Sequence, residues 1–172
     1  MLEITIKPAD ELSESEKSDI ERISSETFAL EEPNDIEWSN SDWHLLGKID
    51  GRVVSDVGVL VRDVLVGQQT VRLGGVGGVA TRPVFQRRGF AGQLMQAANV
   101  FMRDQLDLPF GLLVCGSERI PYYAQFGWQA VAAPLFIHQH GARVPFDAPV
   151  MIISLSGEAW PDGEIDLQGK PW

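Results

Sequence analysis

The stretch GGVGGVATRPVFQRRGFAG, Gly74 to Gly92, gathers glycines and arginines in a chain that is otherwise acidic. Two anion-binding readings compete for it. Gly75-Val76-Gly77-Gly78-Val79-Ala80 fits the G-x-G-x-x-G/A spacing of a dinucleotide fold. That motif must follow a strand and lead straight into a helix. Here Thr81-Arg82-Pro83-Val84-Phe85 intervenes, and Pro83 turns Arg82 away from helical geometry. The motif also needs an acidic residue about twenty positions on for the ribose. No Asp or Glu occurs between Asp63 and Asp104. The second half, Gln86-Arg87-Arg88-Gly89-Phe90-Ala91, fits its surroundings better. It opens the clearest helix in the chain, Gly89 to Leu106, whose Phe90, Leu94, Ala97 and Phe101 recur at helical spacing. A helix start leaves backbone N–H groups unpaired and carries partial positive charge, so it binds phosphate. The competing reading is a plain helix start with two solvated arginines.

The rest of the chain arranges itself around this point. Leu2 to Lys7 alternates as a strand ending at Pro8, and Ser13 to Leu30 reads as an amphipathic helix capped by Ser13 or Ser15. Trp43–Ile49, Arg52–Val66 and Gln69–Thr81 read as three strands, the first two joined by the hairpin signal Asp50-Gly51. Phe110–Cys115 reads as a buried strand, Arg119–Phe126 as a short helix, and Leu135–Gln139 and Met151–Leu155 as further strands. No repeat or linker divides residues 1–172, so one α/β domain with a mixed sheet is expected.

The net charge of −10 argues against nucleic acid as a partner and permits a cationic substrate. No apolar run reaches the length of a membrane span and no signal peptide is visible, so a cytoplasmic location with no membrane partner is expected. Cys115 stands alone, with no disulfide framework. His44, His138 and His140 lack a credible metal spacing, and no metal is expected.

Val79-Ala80-Thr81-Arg82-Pro83 followed by Gln86-Arg87-Arg88-Gly89-Phe90-Ala91-Gly92 resembles the acetyl-CoA motif of the Gcn5-related N-acetyltransferases, the GNAT family. Tyr122-Tyr123-Ala124-Gln125-Phe126-Gly127-Trp128 resembles that family's second landmark. Element order agrees from Leu2 to about Leu155. The resemblance implies the acyl-CoA N-acyltransferase fold, a mostly antiparallel mixed sheet flanked by helices, with fourth and fifth strands splayed apart. It implies acetyl-CoA as cofactor and a small-molecule amine as acceptor, with direct transfer in a ternary complex. Val79, Ala80 and Thr81 would meet the pantetheine arm, Arg87, Arg88, Gly89, Phe90, Ala91 and Gly92 would wrap the pyrophosphate, and Gln86 would join them in binding the cofactor. Tyr123 would protonate the leaving thiolate. A homodimer is one assembly this reading allows.

The chain also looks similar to the aminoglycoside 2′-N-acetyltransferases, in Gly78-Val79-Ala80-Thr81-Arg82, in Gly127-Trp128 and in a tail reaching Trp172. Folded over the cleft, that tail would set the Trp172 α-carboxylate or Asp166 near the amine; packing on the sheet is the alternative. Gly77 and Lys170 stand where that subgroup would carry acid, and Asp35 and Glu37 of the acidic segment Glu31 to Asp42 could compensate. Gly77, Gly78, Cys115 and Ser117 complete the expected acceptor surface. Cys115 could instead carry an acetyl group, but no histidine lies near it in sequence, and the reading preferred for it is a buried structural cysteine. A non-catalytic acyl-CoA-binding module and a protein N-acetyltransferase are the rival functions.

Overall fold

Ser13 and Glu16 set the first helix in the computed structural model, which describes residues 1–29 and 34–172. The Ser13 hydroxyl accepts from Glu16 N at 3.2 Å, and the Glu16 carboxylate accepts from Ser13 N at 2.8 Å. This reciprocal box starts α1 (Glu14–Thr27). Glu16 also accepts from Lys7 at 3.0 Å and from Lys48 at 2.8 Å, which ties α1 to β1 (Glu3–Pro8) and β2 (Trp43–Ile49). Burial alone would raise its carboxyl, but the hydrogen bonds from Lys48, Ser13 and Lys7 hold it down to about 2. A depressed folded-state pKa stabilises above the unfolded value and loses that stabilisation as pH falls. Glu16→Gln is therefore expected to lower stability at neutral pH by about 2–3 kcal/mol. The difference from wild type should vanish between about pH 4.5 and 2 in acid-unfolding curves.

Asp50 and Gly51 both take positive φ, 48° and 77°, and turn β2 into β3 (Arg52–Val66). β4 (Gln69–Thr81) returns beside β3. α2 (Phe90–Asp104) carries the chain to β5 (Phe110–Val114), which lies parallel to β4. α3 (Ile120–Ala124) follows, then β6 (Gln129–Val131), β7 (Leu135–Gln139), β8 (Ala142–Pro145), β9 (Val150–Ser154) and β10 (Ile165–Asp166). The sheet order is β6-β9-β5-β4-β3-β10-β7-β8, with β2 and then β1 beside the first half of β3. Only β4–β5 and β7–β10 pair in parallel among the described residues, so the sheet is mixed and mostly antiparallel. No described helix is long and apolar enough to cross a membrane.

Helices cover both faces. Leu45 and Leu46 are neighbours in a strand and point to opposite sides. Leu45 packs with Leu94, Met95, Ala98 and Met102 of α2, and Leu46 with Ile23 of α1. The expected helix to Leu30 is described only to Thr27, and Leu30, Glu31, Glu32 and Pro33 lie outside the described residues. β6, β8 and β10 were not foreseen. The tail does more than pack on the sheet, since Ile165–Asp166 is hydrogen-bonded into it between β3 and β7.

Candidate active site

β4 and β5 pair only at Leu73–Phe110, Gly74–Gly111 and Gly75–Leu112. β4 continues to Thr81 and β5 to Val114, so the two strands splay from that point. The β4 edge from Val76 to Thr81 has no strand partner among the described residues. A bulge sits in the same place, because Gly58 pairs with Gly77 but Asp56 pairs with Ala80. The extra residue bends β4 and re-aims its backbone. Gly78 there takes φ 60°, with open space where a Cβ would stand. Val79, Ala80 and Thr81 end β4 beyond its pairing with β5, and Gln86 donates to the Thr81 carbonyl at 3.0 Å.

The start of α2 has the backbone geometry of an anion cradle. Arg87 and Gly89 have φ of 60° and 75°, so the chain curls before the helix begins. Curled backbone of this kind turns successive N–H groups inward on an anion. The first backbone bond of α2 is Gln93 N to Gly89 O, at 3.1 Å. From Arg87 through Gly92 no N–H has an acceptor among the described residues. Arg88 lies over the Phe85 ring and Arg87 makes no ion pair among the described residues. A Cβ on Gly92 would come within 2.9 Å of Phe126, so the cradle packs directly on the segment that carries Tyr123.

Tyr123 lies in α3, packed with Cys115 and Phe126 against the α2-side core. Its phenol makes no hydrogen bond among the described residues. Burial pushes it up to about 12, with Cys115 and Tyr122 adding in the same direction. It is therefore protonated throughout the neutral range. Cys115 is half-buried just past β5, and burial, then Glu118, pushes its thiol up as well. A raised thiol is a poorer source of thiolate. Ser117 is exposed in the turn that follows.

Trp172 sits at the base of the split. Its indole lies on Gly75, whose added Cβ would strike the ring, and Nε1 donates to Leu112 O at 3.1 Å. Its main-chain carbonyl carbon lies 2.6 Å from where a Cβ on Gly77 would stand. Arg62 stacks on the ring at 5.1 Å and donates to Lys170 O at 2.7 Å, and Ser39 N donates to Pro171 O at 2.7 Å. The two glycines thus make the seat for Trp172. Gly75→Ala is expected to cost about 1–3 kcal/mol by overpacking. Denaturant unfolding reads the loss, and a stability equal to wild type would contradict the seat.

Asp166 is not brought to this cleft. It pairs with Leu65, seven residues along β3 from Gly58, or roughly 23 Å at strand spacing. Arg143 donates to it at 2.7 Å and His138 lies at 3.0 Å. Glu37 pairs with Lys170 at 3.0 Å, which cancels the charge it would offer a cation. Asp35 is exposed in the irregular segment before it. The structure instead brings in a pair that the motifs did not include: His44 Nδ1 lies 3.0 Å from the buried Asp56 carboxylate.

A split mixed sheet beside an anion cradle at a helix start is the arrangement of an acyl-CoA-dependent N-acyltransferase. The chain belongs to the GNAT family: the family described as "Acetyltransferase (GNAT) domain" matches residues 9–131. Solved structures share the fold. An acyl-CoA N-acyltransferase from Pseudomonas aeruginosa is 19% identical with a TM-score of 0.64, covering 90% of this chain and 100% of its own. A GNAT family acetyltransferase from Brucella melitensis, solved with acetyl-CoA, is 16% identical with a TM-score of 0.66, covering 95% and 94%. The GNAT protein YhbS from Escherichia coli, solved with CoA, is 14% identical with a TM-score of 0.65, covering 98% and 91%. No curated protein matches the chain.

Proposed function

We propose that the protein transfers the acetyl group of acetyl-CoA to a primary amine of a small molecule, directly, within a ternary complex. One observation carries this reading: the unpaired β4 edge from Val76 to Thr81 leads in chain order to the unpaired amides of Arg87 to Gly92, and Gly92 packs on Phe126, three residues from Tyr123. The residues fit acetyl-CoA. The Arg87–Gly92 amides suit a pyrophosphate. The backbone of Val79, on the β4 edge that β5 leaves open, suits an amide of a pantetheine arm, with Ala80 and Thr81 next to it. Bound there, acetyl-CoA supplies acetyl as a thioester, so that an N–C bond forms, a C–S bond breaks and the thiolate needs one proton.

Tyr123 holds that proton. A phenol raised to about 12 is no base at neutral pH but stays protonated for donation. The proton that the nitrogen sheds on becoming an amide restores it. Trp172 offers main-chain oxygen where Gly77 has no side chain, and Gly77 and Gly78 leave the acceptor room. Cys115 and Ser117 edge the opening on the β5 side. The aminoglycoside-like acceptor suggested by the sequence lacks support from Glu37 and Asp166, both engaged elsewhere. A smaller amine suits the split better. The single unpaired cysteine fits a reducing cytoplasm.

Initial rates with acetyl-CoA and amine both varied test direct transfer. Intersecting lines are expected. Parallel lines, with an acetyl group recovered on Cys115, would contradict it.

A further inference from the structure

Beside the split lies a cavity of about 540 Å³. Leu12, Ile20 and Ile23 give it one apolar wall, and Ser39, Asn40 and Ser41 a polar one. Its lining includes Gly78 at the β4 bulge, and also His44 and Asp56. The cavity therefore reaches from the open β4 edge to a histidine–carboxylate pair.

The sheet register explains how. His44 pairs with Gly58, and Gly58 with Gly77. Neighbouring strands lie about 4.8 Å apart, so His44 is two strand spacings, roughly 10 Å between Cα atoms, from Gly77. Neither glycine raises a side chain between them. Ser41 Oγ occupies the space over Gly58, and the Trp172 main chain the space over Gly77. Polar groups thus line the row from the imidazole to the split.

We propose that the acceptor amine binds in this cavity and gives up its proton to His44, which Asp56 orients through Nδ1. The inference rests on the acetyltransferase reading above and names its base and its acceptor pocket. An ionised Asp56 carboxylate only accepts, and opposite it His44 Nδ1 carries the hydrogen while Nε2 keeps its lone pair. Nε2 has no hydrogen-bond partner among the described residues. Asp56 is 4% exposed. Burial raises its carboxyl and the His44 hydrogen bond opposes that rise. An imidazolium formed at His44 stays within hydrogen-bond reach of the Asp56 carboxyl, 3.0 Å from Nδ1. The other charged groups of the cavity, Lys17 and Glu21, come from α1, and Lys17 is paired with Glu14 at 2.8 Å. The amine leaves as a neutral nucleophile, and the imidazolium releases its proton to solvent. The acceptor class that fits is a primary amine with an apolar body, the body against Leu12 and Ile23 and the nitrogen toward Gly78.

The test uses the whole protein and two probes, phenethylamine, which is protonated at neutral pH, and aniline, which is not. In nitrogen-edited NMR, phenethylamine should shift the ring signals of His44 and leave those of His138 and His140 in place. His44→Gln should lower kcat for phenethylamine by about 10²-fold or more, with acetyl-CoA affinity unchanged and a smaller loss for aniline. Asp56→Asn, which reverses the ring tautomer, should lower kcat and leave the phenethylamine KM unchanged. Silent His44 signals, or equal losses for both amines, would overturn the proposal while leaving acetyl transfer intact. If the wild type acetylates no amine, the acetyltransferase reading fails. The ring signals then decide the cavity alone: a shift keeps it as an amine site, and silence removes it.

Discussion

Gly89→Asp should abolish acetyl-CoA binding, raising Kd by about 10²-fold or more while the protein stays folded. The position isolates charge from strain. Gly89 takes φ 75°, a left-handed conformation that Asp tolerates better than most residues. An added Cβ meets nothing within 4 Å. The fold therefore accepts the side chain. The carboxylate, however, stands at the entrance of α2, among the Arg87–Gly92 amides that make the cradle electropositive. Like charges brought together in a binding site cost several kcal/mol, and each 1.4 kcal/mol is tenfold in Kd. Calorimetric titration with acetyl-CoA reads the effect, and a thermal melt confirms the fold. Gly89→Ala separates the terms: it adds bulk without charge and should lose far less affinity. Affinity retained in Gly89→Asp would place the pyrophosphate elsewhere.

Tyr123→Phe should lower kcat by about 10²-fold or more with acetyl-CoA affinity nearly unchanged. The substitution removes one hydroxyl that makes no hydrogen bond among the described residues, so no protein partner is orphaned. Packing against the α2-side core keeps its aromatic body. On the proposed mechanism, what is lost is the proton for the leaving thiolate. The raised phenol adds a pH signature. A group that must be protonated fails only as pH climbs toward its own pKa, here about 12. Tyr123 therefore contributes no alkaline decline in kcat across the neutral range. An unchanged kcat in Tyr123→Phe would remove it from the chemistry.

Much of the fold was legible. Asp50-Gly51 named its hairpin through two left-handed residues, and the apolar stripe from Phe90 to Phe101 named α2. The unpaired amides at the start of α2 were legible because a helix start is a local feature. Tertiary features were hidden. The glycines at Gly75 and Gly77 were understood as strand backbone, but their reason is Trp172, almost a hundred residues away, lying on them. β10 is two residues long and exists only because β3 and β7 flank it. The His44–Asp56 pair was hidden by a single irregularity. A regular two-residue hairpin at Asp50-Gly51 would pair residue 45 with residue 56 and put His44 on the opposite face from Asp56. The bulge between Gly47 and Lys48 shifts the register so that Leu46 pairs with Asp56. A one-residue slip reverses every face, and it brings His44 and Asp56 together.

The wider claim is that this split and cradle perform chemistry rather than only holding a CoA compound. The roles proposed for Tyr123 and His44 belong to an enzyme and not to a simple binding module. Thiol release from acetyl-CoA, measured across a panel of small primary amines, tests this most directly. The account predicts release only when an amine is present, matched one for one by acetylated amine. Tight acetyl-CoA binding with no release on any amine would contradict it.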